Sequence, residues 1–305
     1  MGKIAVVGSI NMDVVNRVVK HPLPGETIKG LGTEYNPGGK GANQAVAAAQ
    51  GGGDVTMIGA VGTDAFGGEL LATLKERGVG TSGVAAKEGT SGLAFITVSE
   101  EGENNIILSE GANGRVLPED IDLFAAELEG ADVVLLQNEI PWETTLYTMQ
   151  LAKEKGVRVF FNPAPAFKLP ESAFSYIDVC ILNETEAGEI TGLPVESQEE
   201  AETAASKLIE GGMNCVILTL GVKGSVLVNQ AGERIVTPSF KVTPVDTTAA
   251  GDTFIGAFAV ASAEGKSLAE GLRFASAAAA ITVTRSGAQM SIPGRQEIER
   301  FLAGQ

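Results

Sequence analysis

Two glycine-containing segments place groups that could bind a phosphorylated or hydroxyl-rich ligand at the start of a helix. They are Asn36–Asn43 (NPGGKGAN) and Val245–Phe254 (VDTTAAGDTF), and the apolar stretch Ile255–Ala263 follows the second. Small residues at a helix start leave backbone N–H groups accessible, and the helix dipole adds positive potential there. In the second segment these are the amides of Ala249–Asp252, and Asp252 adds a carboxylate. The segment therefore predicts an anion hole beside a candidate base.

The first segment offers groups for a hydroxyl-rich ligand, not a P-loop, because the pattern G-x-x-x-x-G-K-[ST] is absent from the chain. Paired glycines allow the backbone to approach a ligand closely, and Lys40 and Asn43 could hydrogen-bond it. Each segment also has a purely structural explanation. Lys40 could face solvent from a tight turn, and Asp252 could be an ordinary first-turn carboxylate. The presence of both segments favours a functional site.

Polar residues follow most of the short apolar runs in the chain. In open α/β sheets, ligands bind beyond the carboxyl ends of the strands. Although Asn and Asp favour strand ends in any protein, their recurrence predicts a site for a ligand with many hydroxyls. The segments are Gly8-Ser9-Ile10-Asn11-Met12-Asp13, Gln137-Asn138-Glu139, Asn162-Pro163, Asn183-Glu184-Thr185-Glu186 and Gly221-Val222-Lys223-Gly224.

Short apolar runs alternate with longer amphipathic stretches along most of the chain. The runs are Ile4–Val7, Val55–Ala60, Val133–Leu136, Val157–Phe161, Val179–Leu182 and Val216–Leu220. The helical patterns are Ala42–Gln50, Phe66–Arg77, Pro118–Leu128, Glu143–Lys155, Gln198–Glu210, Gly251–Ala263, Leu268–Arg285 and Arg295–Leu302. This order is typical of a three-layer α/β/α domain with a mostly parallel central sheet. We expect residues 1–305 to form a single such domain.

Four segments do not fit the alternation and are expected to form a small β-sheet. They pair as Asp13–Lys20 with Glu26–Tyr35 and Ser91–Ser99 with Asn104–Ser109. Glu101-Gly102-Glu103 marks a hairpin turn between the last two. A sheet that projects from the main domain, with strands within 12–36 and 91–110, could act as a lid. Its exposed edges or faces would favour pairing with a second copy, so we expect a homodimer through the lids.

Composition restricts the partners and the chemistry. The net charge of −16 repels phosphate backbones, so nucleic acid and anionic membranes are not expected partners. No apolar run is long enough to cross a bilayer, and Ile4–Val7 is too short for a signal peptide, so a cytoplasmic location is expected. The single histidine, His21, excludes a multi-histidine metal site, which favours a carboxylate or lysine as acid–base group. Cys180 and Cys215 lie in apolar runs and are expected to be buried, reduced thiols.

Together these residues resemble the ribokinase-like family of carbohydrate kinases, also called the phosphofructokinase-B family. Both family signatures are present, at Gly38–Asn43 and Asp246–Phe254, and the resemblance covers essentially the whole chain. It includes Asn162-Pro163-Ala164-Pro165 and Thr219-Leu220-Gly221. The resemblance implies the ribokinase-like α/β/α fold with a β-sheet lid, ATP as co-substrate, and phosphorylation of D-ribose at its 5-hydroxyl.

The resemblance also implies a role for each matching residue. Asp252 would take the proton of the 5-hydroxyl, and the amides of Ala249, Ala250, Gly251 and Asp252 would hold charge on the γ-phosphoryl group. The ribose ligands would be Asn11, Asp13, Gly39, Lys40, Asn43, Glu139 and Asp252. ATP would contact Asn183, Thr219, Gly221 and Gly251. Glu186 would act on Mg²⁺, through water. A potassium ion would be held by Asp246, Thr248, Arg285, Gly287 and Ser291, several of them through backbone carbonyls.

Three alternatives stay open at this point. The chain could be another sugar or nucleoside kinase of the same family, such as a fructokinase or an adenosine kinase. It could be a non-catalytic sugar sensor, although binding alone does not need the carboxylate of Asp252. A nucleotide-linked dehydrogenase is disfavoured because Gly8-Ser9-Ile10-Asn11 lacks the G-x-G-x-x-G fingerprint.

Overall fold

The structure is a computed structural model that describes residues 2–305, and its strands form two sheets. In chain order the strands are β1 (Lys3–Val7), β2 (Asn11–Val18), β3 (Gly32–Gly38), β4 (Asp54–Gly62), β5 (Gly80–Lys87), β6 (Gly92–Ser99), β7 (Asn104–Ser109), β8 (Val133–Leu136), β9 (Arg158–Phe161), β10 (Val179–Asn183), β11 (Cys215–Thr219), β12 (Ser225–Asn229) and β13 (Arg234–Thr237). Nine strands form the large sheet, in the order β13-β12-β11-β10-β9-β8-β1-β4-β5. Only the pairs β11–β12 and β12–β13 are antiparallel, so the predicted mostly parallel central sheet is confirmed.

Helices cover both faces of the large sheet. They are α1 (Lys40–Gln50), α2 (Ala65–Glu76), α3 (Pro118–Leu123), α4 (Ala125–Glu129), α5 (Trp142–Lys155), α6 (Glu184–Thr191), α7 (Gln198–Glu210), α8 (Ala250–Ala263), α9 (Leu268–Thr282) and α10 (Arg295–Ala303). Successive strand residues point to opposite faces. Ile4 and Val6 therefore pack with α1, α2, α8, α9 and α10, whereas Ala5 and Val7 pack with α3 to α7. This confirms the three-layer α/β/α architecture.

Some elements differ from the sequence-based expectation. The single helix expected over Pro118–Leu128 is two helices, because the backbone of Phe124 leaves the helical region with φ −116° and ψ 22°. The apolar-run criterion missed β5, which contains two glycines, and the edge hairpin of β12 and β13. It also missed α6, which starts at Glu184 directly after a strand. None of the helices within residues 2–305 has the length and apolarity needed to cross a membrane.

The small sheet is confirmed as a separate four-stranded unit with the order β3-β2-β6-β7. Its two central strands, β2 and β6, run parallel. The strand expected over Glu26–Tyr35 begins only at Gly32, because residues before it form a loop in which the Glu26 carboxylate accepts the Leu23 N–H at 3.0 Å. Since β2 starts four residues after β1 ends, the small sheet rises directly from the carboxyl edge of the large one.

Candidate active site

The start of α1 is pressed against the loop that follows β1. Gly39 has φ +89°, and a Cβ atom there would lie 2.7 Å from the Asn11 backbone nitrogen. A Cβ atom at Gly41 would lie 2.6 Å from the backbone nitrogen of Ser9. Real Cβ atoms do not approach backbone so closely, so glycine is required at both positions. The glycines of the first motif thus bring Lys40 and the rest of the first turn of α1 beside the base of the small sheet.

Glu139 ties three loops together at the same edge of the sheet. Its Oε2 atom accepts hydrogen bonds from Ser9 Oγ at 2.5 Å and from the Lys40 backbone N–H at 3.1 Å. The Ser9 hydroxyl oxygen in turn accepts the Gly41 N–H at 3.3 Å. The loops after β1 and β8 and the start of α1 are therefore held in one arrangement at this edge of the sheet.

Asp252 lies in the first turn of α8 and is 92% buried, with 8% of its surface exposed. Its Oδ2 atom accepts a hydrogen bond from Asn43 Nδ2 at 3.0 Å, and its Oδ1 atom accepts one from Gln44 Nε2 at 3.0 Å. Asn43 Oδ1 is buried and has no hydrogen-bond partner within residues 2–305. The two glycine motifs thus meet at the hydrogen bond between Asn43 and Asp252, which are 209 residues apart in the sequence. The buried Asn43 Oδ1 beside this bond is available to accept a hydrogen bond from a ligand hydroxyl.

The backbone before Asp252 is arranged to expose amides. Ala249 has φ +59° and is the one non-glycine residue with positive φ in the described chain, a conformation that costs about 1–2 kcal/mol for an L-residue. The Ala250 N–H donates to the Thr247 carbonyl at 3.2 Å, whereas the N–H groups of Gly251 and Asp252 find no acceptor between residues 2 and 305. A Cβ atom at Gly251 would meet nothing within 4 Å. An open, strained helix start with free donors can bind an anionic group.

Four carboxylates, of Asp13, Glu139, Glu186 and Asp252, lie close to the ammonium group of Lys40. Burial, reinforced by the charges of Glu139 and Asp252, raises the pKa of Asp13 from 3.8 to about 7. Burial alone would lower the pKa of Lys40, but the charges of Asp252, Glu139 and Glu186 outweigh it and raise that pKa. Lys40 therefore stays protonated, while Asp13 can gain or lose a proton near neutral pH.

The residues expected to contact the nucleotide end two neighbouring strands. Asn183 and Thr219 are directly paired at the carboxyl ends of β10 and β11. Asn183 Oδ1 accepts the Glu186 N–H at 2.9 Å and Glu186 Oε2 accepts the Asn183 N–H at 3.0 Å, so the two residues cap α6 reciprocally. Gly221 follows with φ +52°. Burial raises the pKa of Glu186, although the Asn183 N–H and the charge of Lys40 act in the opposite direction.

The residues expected to hold potassium lie in two loops joined by Asp246. Asp246 Oδ1 accepts hydrogen bonds from the Thr248 N–H at 2.9 Å and hydroxyl at 2.7 Å, and Oδ2 accepts the Gly287 N–H at 2.9 Å. These donors keep the pKa of Asp246 low despite its partial burial. The Arg285 guanidinium instead pairs with Glu297 on α10. Ser291 is buried, and its hydroxyl donates to the Ala288 carbonyl at 2.7 Å.

Several residues in the site were not singled out from the sequence. Gln44 contacts Asp252 directly, and its only signal was a long amide on the helix face that is otherwise small and apolar after Asn43. Asn113 donates from Nδ2 to Asn11 Oδ1 at 2.6 Å and accepts the Ile10 N–H at 3.0 Å. Asn113 lies 102 residues from Asn11 in a short turn after the small sheet, so no local pattern indicated it.

The two cysteines take no part in this site. Cys180 and Cys215 are both buried, and neither forms a disulfide. Burial raises the pKa of the Cys180 thiol and raises that of Cys215 to about 12. Both are unreactive structural thiols at neutral pH, which confirms the sequence-based expectation.

Comparison with known proteins shows the family to which the chain is similar. The family model for pfkB family carbohydrate kinases matches residues 1–295. The chain is 42% identical to the ribokinase of Haemophilus influenzae over 300 residues, covering 98% of each chain. It is 42% identical to the ribokinase of Schizosaccharomyces pombe over 309 residues, covering 98% of this chain and 97% of the relative. A structure of Arabidopsis thaliana ribokinase complexed with ribose and ATP matches with a TM-score of 0.93 and 36% identity, over 99% of both chains.

Proposed function

The chain belongs to the pfkB family of carbohydrate kinases, and we propose that it transfers the γ-phosphoryl group of ATP to the 5-hydroxyl of D-ribose, giving D-ribose 5-phosphate and ADP. The observation that carries this function is the meeting of Asp252 and the free amides of α8 with the polar first turn of α1. An ATP-coupled assay with a panel of sugars tests it. Turnover with D-ribose well above that with fructose or adenosine is expected. Failure of D-ribose to serve as substrate would refute the assignment.

The proposed reaction uses the chain's own residues for positioning, proton removal and charge stabilisation. As the 5-oxygen attacks the γ-phosphorus, Asp252 takes the hydroxyl proton and the bond to the β–γ bridging oxygen breaks, so ADP leaves. Such transition states are loose, and positioning with charge neutralisation supplies most of the catalysis. The N–H groups of Gly251 and Asp252 would face the γ-phosphoryl oxygens. The other ribose hydroxyls would be bound by Asn11, Asp13, Gly39, Lys40, Asn43 and Glu139, and ATP by Asn183, Thr219, Gly221 and Gly251.

A magnesium ion would fit beside Glu186, which we propose as its contact through water. One Glu186 oxygen is committed to the Asn183 N–H, and the side chain lies close enough to Lys40 and Asp252 for their charges to affect it. Mg²⁺ usually keeps several waters and takes few protein ligands. Bound Mg²⁺ would neutralise charge on the phosphates.

We propose a potassium site where the loops of Asp246 and Gly287 meet, with Thr248, Arg285 and Ser291 as further ligands. The carboxylate, hydroxyl and loop carbonyl oxygens available there are suitable donors for a hard cation. Because the Arg285 guanidinium pairs with Glu297, Arg285 would contribute its backbone carbonyl. The site would support the adjacent helix start at Ala249.

Replacing Asp246 by alanine should abolish stimulation by potassium. The change removes the hydrogen bonds that join the two loops, so we expect turnover at saturating potassium to fall roughly tenfold because the anion hole is misplaced. The measurement is kcat with and without potassium chloride at constant ionic strength. Glu297→Gln is the control, because it removes the charge that pairs with the Arg285 side chain but leaves the loop carbonyls in place. Undiminished stimulation in Asp246→Ala would contradict the site.

Ribose binding should strengthen as pH rises through neutrality. An unfolded aspartate ionises near pH 3.8, whereas Asp13 in the folded protein ionises at about pH 7. Its protonated form therefore stabilises the fold at low pH, and this contribution is lost as pH rises through 7. Hydroxyl donors of ribose require the ionised carboxylate, so the dissociation constant should increase roughly tenfold per unit as pH falls below 7. Calorimetry on both sides of neutrality measures this, and Asp13→Asn should remove the dependence.

We propose that the small sheet is a lid on a single domain spanning residues 1–305, and that two lids associate in a homodimer. Apolar side chains on the sheet are unusually exposed, with Phe95 42%, Tyr35 55% and Ile107 70% exposed. Phe95 and Ile107 are directly paired across β6 and β7. Exposed apolar faces of this kind mark interaction surfaces, and closure over ribose would exclude water and limit ATP hydrolysis.

Ile107→Lys should convert the dimer to a monomer in sedimentation experiments at micromolar concentration, because it places a charge on the apolar face. Val222→Lys is the control, since Val222 is 89% exposed and lies outside the small sheet. A wild-type monomer would contradict the proposal. We further propose that the ligands are small molecules, with neither nucleic acid nor membrane as partner, because the net charge of −16 repels phosphate backbones and anionic lipids. A cytoplasmic location is part of the same proposal.

A further inference from the structure

We propose that Gln44 is a positioning residue for phosphoryl transfer, which acts by fixing the carboxylate of Asp252 and is itself fixed by Gln137. The inference rests on the proposed function and adds to it a residue outside the expected ligand sets. Gln44 is completely buried on α1, so its amide does not serve the surface. Its effect on the reaction would pass through Asp252.

A continuous chain of amides leads from the sheet edge to the carboxylate. Gln137 Nε2 donates to Gln44 Oε1 at 2.7 Å, and Gln44 Nε2 donates to Asp252 Oδ1 at 3.0 Å. Gln44 Nε2 also lies 3.4 Å from Asn162 Oδ1, and Asn162 Nδ2 donates to the Ile181 carbonyl at 2.9 Å. Gln44 therefore joins α1 and α8 to the residues that directly follow β8 and β9, which are Gln137 and Asn162.

The donor and acceptor pattern permits one orientation of each amide. An ionised carboxylate only accepts, so Gln44 must present Nε2 to Asp252 and Oε1 to Gln137. Gln137 must then present Nε2 to Gln44, which leaves Gln137 Oε1 buried with no partner among the described residues. That oxygen lies in the space beside Gly8 that any larger residue would fill, since a Cβ atom at Gly8 would lie 2.0 Å from it. A buried amide oxygen without a partner lowers the free energy of unfolding. The hydrogen bond from Gln137 therefore holds Gln44 in one orientation at a cost in protein stability.

The arrangement assigns different tasks to the two oxygens of Asp252. Oδ1 accepts a hydrogen bond from Gln44, and Gln44 is a buried residue that no ligand is expected to contact. Oδ2 accepts the hydrogen bond from Asn43, which is itself an expected ribose ligand and whose own Oδ1 is buried with no partner among the described residues. We therefore assign Oδ2 as the oxygen that receives the 5-hydroxyl proton, while the bond from Gln44 prevents rotation of the carboxylate. Orientation of this kind raises the rate of transfer more than it raises the affinity for substrate.

Gln44→Met tests the inference, because methionine keeps an unbranched side chain of similar size but cannot donate. We expect kcat with ribose to fall about 10- to 100-fold, while KM for ribose stays within a factor of about two. Gln50→Met is the matched control. Gln50 lies on the same helix and donates to the Arg77 carbonyl at 2.9 Å, away from the site, so its kcat should be unchanged.

A double-mutant cycle separates positioning from a general loss of structure. If Gln44 acts through Asp252, adding Gln44→Met to Asp252→Asn should not lower the residual rate further. A further loss of the same factor would overturn the proposal, and so would a normal kcat in Gln44→Met. If Gln44→Met does not fold, Gln137→Met replaces it, with a smaller loss of kcat expected and unchanged kcat overturning the proposal. An inactive wild type with ribose would instead refute the proposed function.

Discussion

Asp252→Asn should lower kcat with ribose and ATP by about 10²- to 10⁴-fold, the range typical for loss of a general base. Asparagine matches the shape of aspartate but cannot take the proton of the 5-hydroxyl. The NH₂ group of asparagine would face an amide donor of Asn43 or Gln44, and two donors cannot bond to each other. One hydrogen bond is therefore lost, at a cost of about 1–3 kcal/mol in stability. The fold and ribose binding should persist. Steady-state kinetics, calorimetric binding of ribose and thermal unfolding measure the three properties separately.

Glu270→Gln is the matched control for this prediction. Glu270 occupies the third position of α9, as Asp252 does in α8, and accepts hydrogen bonds from Ser267 in an exposed capping box. A carboxylate at that helix position is common, so its neutralisation should reduce stability slightly and leave kcat unchanged. If both variants kept normal kcat, Asp252 would be a helix-terminal carboxylate with no part in the reaction.

Local patterns were sufficient for the elements that carry the site. The runs Ile4–Val7 and Val133–Leu136 are short, apolar and followed by polar residues, and both are strands whose ends reach the site. The edge strands were not predicted because their burial alternates or their sequence contains glycines, as in Gly80–Lys87 and Arg234–Thr237. At an edge, one side of the strand faces no neighbour, so the apolar run that marks a central strand is not required.

The two glycine motifs could be recognised in the sequence, whereas the residues that hold them in place could not. Gly39 and Gly251 lie in short segments whose composition suits close backbone approach, so sequence alone indicated them. Gln44 and Asn113 act over separations of 208 and 102 residues. Their roles depend on which helix and strand ends the sheet order brings together. These contacts depend on the topology of the fold, so the spacing of residues within one segment of the chain does not predict them.

Gly251→Ala should reduce kcat on the order of 10²-fold without loss of stability, because the added methyl group would occupy the approach of the γ-phosphoryl group. In the free protein a Cβ atom at Gly251 meets nothing within 4 Å. Alanine is also a better helix former than glycine, by up to about 1 kcal/mol in a helix interior. The melting temperature should therefore stay equal or rise while turnover falls. Thermal unfolding and steady-state kinetics on the same preparation measure both.

Gly256→Ala on the same helix is expected to lower stability as well as turnover, and this difference from Gly251→Ala tests the cause. A Cβ atom at Gly256 would lie 2.6 Å from Ala47 Cβ and 2.7 Å from the Gln44 carbonyl oxygen, where α8 crosses α1. Overpacking there should cost about 1–3 kcal/mol of stability, and kcat should fall through displacement of α8 together with a lower melting temperature. If Gly251→Ala were equally destabilised, or kept normal kcat, the space in front of Gly251 would not be where the phosphoryl group passes.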